Sequence, residues 1–232
     1  MAFGIIHYAF LVDAIGIGIC MLLLLNRYRE QRNMLTLVFV LFLLTLTLQA
    51  SLYFIRGLWS ASAAEDILAF RFIQANHIFI AILLIVFLLY PQIKQKEGTL
   101  EAKRLQIFLI VVIIVGVIGM ILPFISEISW TYDDLYGLPH YTLASAIPFT
   151  YQIILAIDAV YAIIAAIFLI QMIRIETESF YKTKATLLLV GWLIIVFAQF
   201  LLLSSALSLL TPVLSLVGML LMAFSILRQP PS

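Results

Sequence analysis

Residues 10–32 read FLVDAIGIGICMLLLLNRYREQR, and the fold turns on how this stretch is placed. Apolar or small residues fill it from Phe10 to Leu25, then Arg27, Arg29 and Arg32 close it. A helix of about 20 apolar residues crosses the hydrocarbon core of a bilayer. The stretch therefore reads as a membrane span ending at a basic membrane surface. Asp13 is the anomaly, because a carboxylate within a span costs about 2.5–3.5 kcal/mol on insertion scales and requires a partner or a polar surround.

The rest of the chain repeats the pattern. Of its 232 residues, 65% are hydrophobic and 11% charged, against about 25% charged in a soluble domain. Seven apolar runs are long enough to span, at roughly 4–26, 34–56, 66–90, 104–126, 146–173, 184–204 and 210–228. The break before the last is only SSALSLLTP, read as a tight hairpin, with Pro212 in the first turn of the last helix and Thr211 as its N-cap. The first run has no basic residue before it and is too long for a signal-peptide core, so it is read as the first span of the mature protein.

Charge placement sets the direction. Arg27, Arg29, Arg32, Lys94, Lys96, Lys103, Arg104, Arg174, Lys182, Lys184 and Arg228 all fall at one membrane face; only Arg56 and Arg71 do not. By the positive-inside rule that face is cytoplasmic, with the N terminus outside. The expected architecture is an all-α, seven-transmembrane helix bundle forming a single domain over residues 1–232, its C terminus cytoplasmic. The outer segment ISEISWTYDDLYGLPHYTLAS (125–145) carries Trp130, Tyr132, Tyr136 and Tyr141, which suit the membrane–water boundary.

Several classes of function are excluded. Net charge is +1, so nucleic acid is not an expected partner. The single cysteine, Cys20, allows neither an internal disulfide nor a multi-cysteine metal site. His7, His77 and His140 are not spaced to share a metal or haem. All five lysines lie in or beside the basic loops, so covalent retinal, which needs a lysine in the seventh span, is excluded. There is no phosphate-binding loop and no hydrolytic triad. No catalysis and no cofactor are expected.

Polar residues within the spans are the functional candidates. Span three carries RFIQANH (71–77), where Arg71, Gln74 and His77 recur at three-residue spacing and share a face. Span five adds Gln152, Asp158 and Tyr161, with Asp158 and Tyr161 on one face. With Asp13 these residues define an expected ligand or ion pocket between spans one, three and five, in which Asp13 faces Arg71. The same residues also suit helix-to-helix glue. The segments beginning at Tyr8 and Tyr151 share a tyrosine, an Asp-Ala pair and an apolar run ending in arginine and glutamate, and both spans two and six carry a glutamine (Gln49, Gln199). This suggests a parallel repeat of spans 1–3 and 5–7 about span four.

AFRFIQANHIFIAILLIVFLLYPQIK (69–94) resembles the third span of the seven-helix sensor region at the N terminus of many prokaryotic histidine kinases, with a basic residue early and an aromatic, Tyr90, at the far end. RIETESFYKTKATLLLVGWLIIVFAQFL (174–201) resembles its fifth-to-sixth junction. The resemblance implies signal perception in a prokaryotic plasma membrane. It carries no individual residue role, and no kinase, PAS or cyclase module lies within these residues, so a cytoplasmic partner protein is expected. The resulting expectation is a receptor- or sensor-like protein that binds a small ligand, lipid or partner and relays to the cytoplasmic side. A cation- or proton-coupled transporter and a non-catalytic subunit of a larger membrane complex are the alternatives.

Overall fold

In a bilayer the backbone must satisfy its own hydrogen bonds, so apolar segments of this length become helices. The computed structural model describes residues 5–59, 63–125, 131–133, 138–140, 149–201 and 210–228. Among these are seven helices: α1 (Ile5–Gln31), α2 (Met34–Trp59), α3 (Ala63–Gln95), α4 (Leu100–Ile125), α5 (Phe149–Ile175), α6 (Ser179–Leu201) and α7 (Leu210–Leu227). All seven are long and apolar enough to cross a membrane. Between α4 and α5 a short antiparallel ladder pairs β1 (Thr131–Asp133) with β2 (Leu138–His140), Tyr132 opposite Pro139. The aromatic side chains of that connection, and the hairpin expected before α7, lie outside the described residues.

The helix ends at the basic face have local causes. Arg32 adopts a left-handed backbone at φ 50°, and its N–H donates to the Tyr28 carbonyl at 2.7 Å, closing α1. The Asn33 carbonyl then accepts from Leu37 at 3.1 Å and opens α2, so the connection is two residues long. Gly98 at φ 85° reverses the chain after α3. Thr99 caps α4, its hydroxyl oxygen accepting from the Ala102 N–H at 3.1 Å. Lys96 pairs with Glu101 across this turn.

Helix order follows from packing. α1 packs on α2 and α7, α2 on α3, α3 on α5, α5 on α6 and α6 on α7, which closes a ring of six. α4 lies outside the ring against α3 and α5. Its apolar stretch is only 22% buried, against 67% for α3. Ile107, Ile110, Ile114, Ile118 and Ile121 of α4 accordingly point outward, and Ala102, Val112, Gly116 and Gly119 point inward. The core is centred on Phe39, Phe42 and Leu43 of α2 and on Ile78, Leu84, Ile85 and Leu88 of α3, all essentially inaccessible.

With lipid as apolar as the core, close approach and polar contacts hold the helices together. α6 and α7 touch backbone to backbone, since a methyl group on Gly191 would lie 2.5 Å from the Gly218 carbonyl oxygen. The Trp192 indole N–H donates to the Ala162 carbonyl of α5 at 3.2 Å. Thr211, expected as an N-cap, lies inside α7 instead, and its hydroxyl donates to the Ala198 carbonyl of α6 at 3.0 Å. The reason is burial: Thr211 is fully inaccessible, and a hydroxyl proton removed from water needs a carbonyl.

Candidate functional site

The polar residues at the end opposite the basic loops are organised by α2. Thr45, Gln49, Tyr53 and Arg56 follow one another at spacings of four, four and three residues, so they line one face of that helix. Thr45, Gln49 and Arg56 are buried and Tyr53 partly so. From α3 the Asn76 side-chain amide donates to the Thr45 carbonyl at 2.9 Å and to Gln49 Oε1 at 2.7 Å. From α1 the Phe10 ring stacks on Tyr53 with centroids 4.5 Å apart. The Tyr53 phenol lies beside the Gln49 amide and within electrostatic reach of Arg56 and of Asp158 on α5. The Arg56 guanidinium sits over the Phe70 ring of α3 at 5.9 Å. Three other helices, α1, α3 and α5, thus converge on the α2 stripe.

The expected pairing of Asp13 with Arg71 is corrected. Asp13 is almost completely buried, at 2% exposure, yet neither an ion pair nor a hydrogen bond joins it to Arg71. The cause is the order of the helices: α1 packs chiefly on α2 and α7, and α2 stands between α1 and α3. Arg71 is partly buried and engaged elsewhere. Asp13 lies one turn from Phe10, on the side of α1 that meets α2.

The other expected site residues divide. Gln74 is buried on α3 and its Oε1 makes no hydrogen bond; His77, one turn further along α3, is partly buried. Asp158 joins the α2 stripe through the neighbourhood of Tyr53. Tyr161 does not. Its hydroxyl donates to the Val112 carbonyl of α4, beside Gly116, so it locks α5 to the peripheral helix. Gln152 falls on α5, and its side chain lies outside the described residues. His7 is buried on α1.

What this arrangement can do is recognise polarity. Gln49 Nε2 and Gln74 Oε1 are buried groups with no hydrogen bond, one a donor and one an acceptor. A buried polar group left in this state costs about 1–3 kcal/mol. Among the described residues no group of three His, Cys, Asp or Glu side chains could hold a metal ion.

At the basic end a second cluster holds the last turn of α7. Arg27 of α1 donates through Nη1 to the Ile226 and Leu227 carbonyls at 3.0 and 2.9 Å. Lys184 Nζ of α6 donates to the Arg228 carbonyl at 3.0 Å, and the Ser225 hydroxyl donates back to the Lys184 carbonyl at 2.9 Å. Lys184 and Arg228 both lie over the Phe180 ring, at 5.4 and 5.3 Å.

Seven spanning-capable helices with a polar cluster at one end and a tethered last helix at the other define an integral membrane protein of the polytopic helical class. A family model for the N-terminal 7TM region of histidine kinase matches residues 10–230, and the chain belongs to that family. No curated protein and no solved structure matches it. Family membership supports a role in membrane sensing and signal transduction.

Proposed function

We propose that this chain is the non-catalytic sensing unit of a signalling system, in the plasma membrane of a prokaryote. A small polar ligand, a lipid or a partner segment is read by the cluster on α1, α2, α3 and α5. The response reaches a cytoplasmic partner through the last turn of α7. The positive-inside rule puts the basic end in the cytoplasm, and thus the polar cluster toward the outside.

The observation that carries the reading is the unmatched, buried Gln49 Nε2, in a cluster that four helices share; Gln74 Oε1 on α3 is a second buried amide group without a hydrogen bond. A ligand that completes those bonds shifts helices one, two, three and five against one another. α1 also carries Arg27, so a shift of α1 is felt at the end of α7. The experiment is a thermal-shift screen of small polar compounds on the protein in nanodiscs, repeated with Gln49→Leu/Gln74→Leu and with Arg71→Ala. Stabilisation by a compound that is lost in the double leucine variant supports the reading. Stabilisation that survives it rejects this cluster as the reader.

A further inference from the structure

The basic end holds a feature unrelated to the polar cluster. A cavity of about 510 Å³ opens where the α1–α2 turn meets the last turns of α3. Its lining includes Arg32, Asn33, Tyr90, Pro91, Lys94 and Gln95. Two of these are cations and none is a carboxylate. Tyr90, Asn33 and Gln95 add hydrogen-bond donors, and Pro91 and Met34 give an apolar floor.

Four further facts bear on what the cavity would hold. α2 begins at Met34, which also lines the cavity, so this is the amino end of a 26-residue helix. The first-turn N–H groups there have no carbonyl within the helix to receive them, and the helix dipole is positive at that end. Arg32 is held at φ 50°, a backbone region that costs a residue with a side chain about 1–2 kcal/mol, and the same connection is pinned by bonds to Tyr28 and from Leu37. The membrane-spanning stretches of α1 and α3 end at Gln31 and Gln95, which sets the cavity at the level of lipid headgroups. The nearest acidic residues in the sequence, Glu30 and Glu97, are exposed and outside the lining.

We infer that this cavity is a phosphate-binding site, filled by the headgroup phosphate of an anionic lipid or by a soluble phosphate-bearing anion. Arg32 from the α1–α2 turn and Lys94 from the end of α3 supply charge, the α2 amino end supplies backbone donors, and the Tyr90 phenol offers an O–H. The site does not depend on the sensing proposal, because no residue is shared between them.

The test uses the full chain in nanodiscs, with native mass spectrometry to read retained lipid. Phosphatidylglycerol is titrated against phosphatidylcholine for wild type, for Arg32→Gln/Lys94→Gln and for the control Lys103→Gln/Arg104→Gln on α4. The wild type should prefer phosphatidylglycerol. The cavity variant should lose about 30-fold of that affinity, near fivefold for each cation removed, while the control stays within about twofold. Both variants are checked for an unchanged circular dichroism spectrum. Inorganic phosphate is then added as competitor: displacement of the lipid assigns the site to soluble phosphates, and persistence of the lipid assigns it to a headgroup. A control variant that loses as much as the cavity variant overturns the site in favour of diffuse surface charge. So does a wild type that neither prefers phosphatidylglycerol nor responds to phosphate.

Discussion

Arg27 reaches from α1 to the end of α7, where its guanidinium donates to the Leu227 carbonyl at 2.9 Å. The contact joins the first helix to the last, 200 residues apart in the chain. The final carbonyls of any helix lack intrahelical donors, and a cation placed there also complements the negative end of the dipole. Arg27 therefore both caps α7 and tethers it.

Removing the tether has a definite expected cost. Arg27→Gln should destabilise the bundle by about 1–2 kcal/mol, since hydrogen bonds to charged donors contribute about 1.5–3 kcal/mol and this one is only partly buried. Melting in nanodiscs measures the loss. Hydrogen exchange should quicken in the last turn of α7 and not in α4. An unchanged exchange rate there would show that Arg27 restrains nothing.

The α6–α7 contact makes a sharper steric prediction. A methyl group on Gly218 would lie 2.6 Å from the Gly191 carbonyl oxygen, and backbone cannot move aside as a side chain can. Gly191→Ala or Gly218→Ala should cost about 1–3 kcal/mol by overpacking. Gly18→Ala is the comparison, because its nearest neighbour would be Thr47 Cγ2 at 3.8 Å, an ordinary contact. Gly18→Ala should melt at or slightly above the wild-type temperature, since alanine suits a helix better than glycine. Equal melting of all three variants would contradict the close approach.

Much of this architecture was legible in the chain, and the reasons bear on what was not. Hydropathy marks spans because lipid demands it, and the seven helices follow. The partners of each helix are another matter, since lipid is as apolar as leucine and an outward face such as Ile110–Ile114–Ile118 reads like an inward one. Asp13 and Arg71 were therefore matched by charge alone, without knowledge that α2 stands between their helices. The α2 stripe was missed for a different reason. Thr45 and Tyr53 are weak polar signals in an apolar run, and Arg56 enters the sequence reading only as a cation off the basic face. Its spacing, Thr45–Gln49–Tyr53–Arg56, was nevertheless present to be found by asking which polar residues recur at a helical period. Tyr161 shares a helix and a turn with Asp158, yet serves α4; no spacing rule distinguishes a phenol aimed at a pocket from one aimed at a neighbouring carbonyl.

Asn76 gives a test of the α2–α3 seam. Its side-chain amide donates both to the Thr45 carbonyl and to Gln49 Oε1, one of them a main-chain acceptor that does not depend on the partner's side chain. Hydrogen bonds between membrane helices average about 0.6 kcal/mol and reach about 1.7. Asn76→Leu should lose about 1–2 kcal/mol, as two bonds go and Gln49 is stranded. Gln49→Leu should lose less, because Asn76 keeps the Thr45 carbonyl. The reverse order in melting experiments would mean that the Gln49 bond dominates the seam.

The two carboxylates within the spans separate sensing from transport. Asp158 stands within electrostatic reach of Tyr53, whereas Asp13 is buried on α1 with no ion pair to Arg71. A coupled transporter would load and release a cation or proton at such groups, so flux into proteoliposomes would follow a pH gradient and vanish in Asp158→Asn. A sensor uses the same residues to hold a conformation. We expect wild-type proteoliposomes to show no flux beyond that of Asp158→Asn, while Asp158→Asn shifts the melting temperature and alters stabilisation by any compound that the wild type recognises. A gradient-driven flux present in the wild type and absent in Asp158→Asn would move this chain out of the sensing class of mechanism, whatever its family.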